Sequence, residues 1–354
     1  MSFLLRNSER AEGKMMPKNI VVFSDGTGQE GGKGQNTNVY KIFNMCEDRT
    51  DSQMTFYDRG LGTGWRKLGG QAFGAGISKN IKECYTFIFD HYNAGDQIFM
   101  FGFSRGATTV RSLSSFIHLF GIPPKSRPEL IDEAYDIYKK PKTRDAEAKK
   151  FIKRHHNMWC RIQFLGVWDT VAALGVPLKG VNVLLEQIPG LQHKYQNLSM
   201  SQSVVHGRHA LAIDDERKIF HPVLWDAEIE DYQTLEQVWF CGMHTDVGGG
   251  YKEQELSDIP LKWMMNEAVK KGLLIYPNHK VEMHSNPNGQ MHDSRGGTLG
   301  RLYKRRVRSW DAAKHGNPVV HHSVLKRTKN RANEESSYNP WILQMDIDEW
   351  TESP

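Results

Sequence analysis

The chain has 354 residues, 39% of them hydrophobic and 25% charged, with a formal net charge of +5. That length suits one large α/β domain with insertions or two ordinary domains, and the composition is that of a soluble globular protein. The charge excess is too small to point to nucleic acid, and no run reaches the ~18–20 apolar residues that cross a bilayer. Cys46, Cys84, Cys160 and Cys241 are scattered, with neither a disulfide framework nor a zinc-ligand spacing.

The first residues lack the apolar stretch and small-residue cleavage site of a secretory signal. Residues 1–17 are therefore expected to be a disordered leader, with the folded domain over 18–335, a tail over 336–354, and synthesis as a cytoplasmic protein. Asn19 to Phe23 reads as a buried strand that stops at the glycine-rich turn Ser24-Asp25-Gly26-Thr27-Gly28. Asn36-Thr37-Asn38 caps a helix running to about Cys46, with Val39, Ile42 and Phe43 on one face. A strand at Met54–Tyr57 precedes a glycine-rich stretch, 60–76, expected to be a loop walling the site.

Helical spacing follows over 77–93, then the continuous apolar run Gln97 to Phe101, as in a central parallel strand covered on both faces. A sharp turn at Ser104 opens a helix to about Phe120, and two charged helices are expected within 128–157. Ile162 to Trp168 and Val238 to Met243 read as further core strands, and 275–335 as an irregular wrap. Alternating strands and helices predict an α/β fold: a mostly parallel, α/β-hydrolase-like sheet with helices on both faces.

Gly102-Phe103-Ser104-Arg105-Gly106 fits G-x-S-x-G, of which roughly 0.2 chance occurrences are expected in a chain with 32 glycines. Its context, after an apolar strand and before a helix, is the one a nucleophile elbow requires. Gly102 and Gly106 let strand and helix approach while the serine projects above the sheet. A serine hydroxyl needs a histidine to take its proton and a carboxylate to orient that histidine. Asp169 and His244 each follow a strand, in the chain order Ser, Asp, His, at the carboxyl edge where α/β sheets build their sites.

Asp246 is a rival orienting acid, or organises its glycine turn; with Asp25 it is also the nearest approach to a hard-cation site, although no ligand-loop motif is present. No metal or cofactor is expected. The oxyanion would be met by the N–H of Arg105 and by Gly26 or Thr27, with Asp25 bracing that loop. His209 and His221 are candidates only for the pocket lining. The basic run Arg301 to Arg308 reads as a solvated face or, less readily, as a contact with an anionic surface. Val171 to Leu191 reads as a core helix in preference to an amphipathic lid.

Five separated blocks, Phe23 to Gly28, Asn36 to Val39, Gly102 to Ala107, Gly166 to Val171 and His244 to Tyr251, resemble the catalytic domain of the type VI secretion phospholipase effectors. His322-Ser323-Val324 with Arg327 fits the same pattern, so the resemblance runs from about 18 to 330. It implies an α/β-hydrolase core, a triad at Ser104, Asp169 and His244, a glycerophospholipid substrate with peripheral membrane contact, a secretion-machinery partner, and export without a signal peptide. The alternatives are an esterase or thioesterase on soluble acyl substrates, and a non-catalytic binding module.

Overall fold

The structure, a computed structural model, describes residues 17–26, 32, 35–60, 70–171, 199–296, 302–330 and 337–351. β1 (Asn19–Ser24) is buried along its whole length and pairs in parallel with β2 (Gln53–Asp58) on one side and β3 (Gln97–Phe103) on the other. From β3 the sheet grows outward in chain order through β4 (Ile162–Trp168), β5 (Val204–Ala212), β6 (Thr234–Phe240), β7 (Val319–His321) and β8 (Asp348–Trp350). Every pairing is parallel. The direction of winding reverses between β1 and β3, so the loops after these strands flank a crevice at the carboxyl edge.

Successive strand side chains point to opposite faces. Ile20, Val22, Ile98 and Met100 join one apolar cluster, whereas Val21, Phe23, Phe99 and Phe101 join another. The first is covered by α2 (Gly70–His91), α3 (Arg105–Phe120), α4 (Leu130–Tyr138) and α5 (Arg144–His155). The second is covered by α1 (Asn38–Met45) and α7 (Asp258–Lys270). Each fully buried Val, Ile or Phe stabilises by ~1.5–3 kcal/mol, and burial on both faces is why these strands read as continuous apolar runs. The fold is therefore the expected α/β architecture, a parallel sheet with helices on both faces.

Short elements complete the carboxyl edge: α6 (His244–Gly248), α8 (Ala312–His315) and α9 (His322–Asn330). Thr37 caps α1, its hydroxyl accepting the Tyr40 N–H at 3.2 Å. Other boundaries differ from expectation. Helix α2 begins at Gly70, inside the stretch read as loop. The wrap over 275–335 carries α8, β7 and α9, and the segment read as a tail supplies β8 to the sheet's edge. The leader up to residue 16, the wall at 61–69 and the lid at 172–191 lie outside the described residues.

Candidate active site

Ser104 sits between β3 and α3 with φ 58° and ψ −115°. A non-glycine residue held there stores ~1–3 kcal/mol of backbone strain and persists only where its surroundings enforce it. The surroundings are tight. The Ser104 N–H donates to the Trp168 carbonyl at 3.1 Å, tying the turn to the end of β4. A Cβ at Gly106 would stand 1.9 Å from the Ser24 carbonyl oxygen, and one at Gly102 2.6 Å from the Gly106 carbonyl. Replacing Gly106 with alanine should therefore push α3 off β1 and lower stability by about 3 kcal/mol, read as a fall in Tm. An unchanged Tm would contradict this packing.

β4 ends opposite β3, with Phe103 in register with Trp168. The next residue, Asp169, is fully buried and also has a positive φ, 38°. Its N–H donates to the Ala210 carbonyl at 2.8 Å. His244, the first residue of α6, reaches back across the edge of β5, and its Nδ1 lies 2.5 Å from Asp169 Oδ2. With Nδ1–H donating to the carboxylate, the neutral ring leaves Nε2 as a base. The rings of Phe103 and Phe220 flank the imidazole, with centroids 4.6 Å and 4.9 Å away.

Asp169 also has a cationic neighbour. The fully buried Arg308 guanidinium is bidentate on it, Nη1 to Oδ1 at 2.6 Å and Nη2 to Oδ2 at 2.8 Å, and also donates to the carbonyls of Ala212 and Phe220. The Ala212 N–H adds a bond to Oδ1 at 3.1 Å. Burial alone would raise the Asp169 carboxyl, but Arg308 and then His244 outweigh it and hold it well below the carboxylate range. Burial lowers His244, against the upward pull of Asp169, so the ring is held neutral near neutral pH.

Asp25, the first residue after β1, is held by three donors. Asp25 accepts from the Thr37 hydroxyl and the Tyr57 hydroxyl, each at 2.6 Å, and from the Gly26 N–H at 2.7 Å. Burial pushes its pKa up to about 6, partly offset by these bonds. The Gly26 N–H, expected as an oxyanion donor, is thus engaged by the Asp25 carboxylate. Thr27 lies outside the described residues. Arg105 opens α3, putting its amide at that helix's N-terminal end.

Asp246 does not meet His244. It accepts from the N–H groups of Met243 and His292 and lies 2.6 Å from His292 Nδ1, so it organises the α6 turn. Neither Asp25 nor Asp246 therefore presents an open carboxylate to a cation. His209 is buried behind the site, its Nε2 accepting the Thr170 N–H at 3.1 Å, and His221 Nε2 contacts the Arg306 carbonyl oxygen at 3.1 Å.

Residues 18–267 match the model of the family described as the type VI secretion system phospholipase effector Tle1-like catalytic domain. The chain belongs to this family. An uncharacterized protein of Saccharomyces cerevisiae is 26% identical over 314 residues, covering 80% of this chain and 42% of that protein. The chain thus spans under half the length of the curated relative it matches. Among solved structures, an uncharacterized protein from Pseudomonas aeruginosa is similar at TM-score 0.43 and 14% identity, over 80% of this chain and 50% of that one. The Tle1 effector bound to the VgrG spike of the type 6 secretion system is similar at 0.37 and 18%, over 72% of this chain and 56% of that one. A metagenomic carboxyl esterase is similar at 0.33 and 11%, over 72% of this chain and 74% of that one.

Several residues of this Tle1-like domain's site carry no motif. Arg308 is one. Asp215 is another: it accepts the His244 N–H at 3.2 Å and pairs with Arg217 at 2.5 Å, fixing the start of α6. Thr37 and Tyr57 hold Asp25 from outside its own loop. One signal could have found Arg217: it stands two residues after Asp215, within reach of a local turn pairing.

Proposed function

We propose that this Tle1-like domain is a serine esterase that cleaves a carboxylic ester of a glycerophospholipid through an acyl-enzyme. Ser104 Oγ attacks the ester carbonyl carbon while His244 Nε2 takes its proton. The tetrahedral oxyanion is met by the Arg105 N–H at the start of α3. Collapse breaks the bond to the alcohol, and His244 returns the proton to the leaving lysophospholipid oxygen. A water then repeats the sequence and releases the fatty acid. Asp169 orients the ring and stabilises the imidazolium. The observation carrying this reading is the 2.5 Å contact between His244 and Asp169, one strand from the strained turn at Ser104.

A lipid rather than a small soluble ester is favoured by the rim of the site. Phe220 touches both His244 and Tyr303. Around Tyr303 stand the exposed Leu302 and Val307 with exposed Lys304, Arg305 and Arg306, an apolar and cationic edge suited to an anionic membrane surface. Among the described residues no helix is long and apolar enough to cross a membrane. Delivery by a secretion-machinery partner without a signal peptide is part of the same proposal, resting on the family.

The test is fluorophosphonate labelling with and without phospholipid vesicles. Labelling that vesicles block supports a lipid substrate, labelling they leave unchanged moves the substrate to a soluble ester or thioester, and no labelling of folded protein makes this a binding module. The pH profile is a separate check. Because burial lowers His244 below its ordinary 6.5, kcat/KM should fall on the acid side with a midpoint below that value, as the base becomes protonated. A midpoint at or above it would contradict a buried, neutral base.

A further inference from the structure

A polar cavity opens on the same carboxyl edge, beyond β6. It has a volume of about 190 Å³ and is lined by Lys262, Trp263, Ser285, His321, Lys326 and Trp350 among others, with no carboxylate among its described lining residues. β7 ends at His321 and α9 begins at His322, so the helix's N-terminal end faces the strand edge, the arrangement that accepts anions in open parallel sheets. The buried Arg327 of α9 fixes the far wall by donating to the carbonyls of Pro287 at 2.7 Å and Gly289 at 2.9 Å.

His321 supplies an observation independent of the helix end. It is 5% exposed and stacked between Phe240 and Trp350, with centroids 4.8 Å and 5.1 Å away. The Ser323 N–H donates to its Nδ1 at 3.2 Å, so the proton of the neutral ring belongs on Nε2. Burial first, then the neighbouring His322 and Lys326, push its pKa down to about 3, which keeps the ring neutral. Nε2–H has no partner among the described residues, and the ring borders the cavity. Lys262 and Lys326 are exposed at the rim, and neither forms an ion pair with a described carboxylate. Glu236 accepts the Trp350 indole N–H at 3.2 Å.

We infer that this cavity binds a phosphate group, held by the Lys262 and Lys326 ammonium groups at its mouth and the His321 Nε2–H at its wall. Two ammonium groups and a neutral donor beside a helix N-terminus match a compact dianion better than a single carboxylate. The source is either soluble phosphate or a phospholipid head group. Neither depends on ester hydrolysis at Ser104, so this site stands or falls separately from the proposed activity.

The experiment titrates inorganic phosphate into the full chain by calorimetry, comparing wild type with Lys262→Gln, Lys326→Gln, His321→Phe and Ser104→Ala. Saturable millimolar or tighter binding is expected, weakened about tenfold by either lysine change and unaltered in Ser104→Ala. His321→Phe keeps the aromatic stack and removes the donor, so it should also weaken binding. Co-sedimentation with phosphatidylcholine vesicles, with and without phosphatidic acid, then identifies the source. Acid-dependent capture lost in Lys262→Gln and Lys326→Gln means a lipid head group, whereas capture unchanged by them beside weakened phosphate binding means a soluble phosphate. Absence of saturable binding, or equal binding by wild type and the lysine variants, would overturn the inference.

Discussion

Replacing Ser104 with alanine is expected to lower kcat/KM for ester hydrolysis by ~10⁴-fold or more, with Tm unchanged or slightly raised. The first half follows from chemistry. Without the hydroxyl no acyl-enzyme forms, and what remains is the rate of water held beside His244 and the oxyanion donors. The second half follows from the backbone. Ser104 holds φ 58°, and its N–H and carbonyl, not its hydroxyl, tie it to Trp168 and Thr108. Alanine keeps both bonds. His244→Ala should lose activity on a similar scale, and the double variant should be little worse than either single one, because the two act as a unit. Full turnover in Ser104→Ala would remove the proposed mechanism. Losses that multiply in the double variant would mean that Ser104 and His244 serve different steps.

The centre of the sheet was legible because its strands are covered on both faces. Phe99, Phe101, Phe164 and Val167 had to be apolar, and the turns that interrupt such runs carry Ser104, Asp169 and, two strands later, His244. β5 was not legible, since its sequence holds His206, Arg208 and His209. These residues are tolerated in a core strand through long-range partners: Arg208 pairs with Glu267 at 3.0 Å, and His209 accepts from Thr170. Such partners lie 59 and 39 positions away in the chain, beyond any local pattern. β7 and β8 are three residues each, too short for alternation to register. The same limit hid Arg308. Its neighbours Lys304, Arg305 and Arg306 are exposed, so the run reads as a solvated basic face, yet Arg308 turns inward with its whole side chain buried.

Arg308→Met is expected to be the most destabilising single change near the site. The guanidinium supplies two of the bonds to Asp169. Its loss leaves a carboxylate in the core with only His244 and the Ala212 N–H. Removing one partner of a buried pair costs about 3–5 kcal/mol, or on the order of 5–15 °C in Tm for a domain of this size. The sign of the linked pH effect is fixed by Asp169, whose native pKa is depressed. Such a group stabilises the fold above its unfolded pKa, and that stability is lost as pH falls through the native value. In Arg308→Met the native pKa rises toward the unfolded one, so the stability gained between acid and neutral pH should shrink. Arg308→Lys keeps the charge but not the fork and should recover only part of the loss. Combining Arg308→Met with Asp169→Asn removes both charges. Stability should then return most of the way, while activity should not, because His244 has lost the carboxylate that orients it. Destabilisations that simply add in the double variant would show that Arg308 acts through its packing and not through Asp169. The distinction matters for the mechanism. A carboxylate shared between a guanidinium and an imidazole lends less negative potential to the ring than one it holds alone. Arg308 thereby helps keep the buried His244 ring neutral.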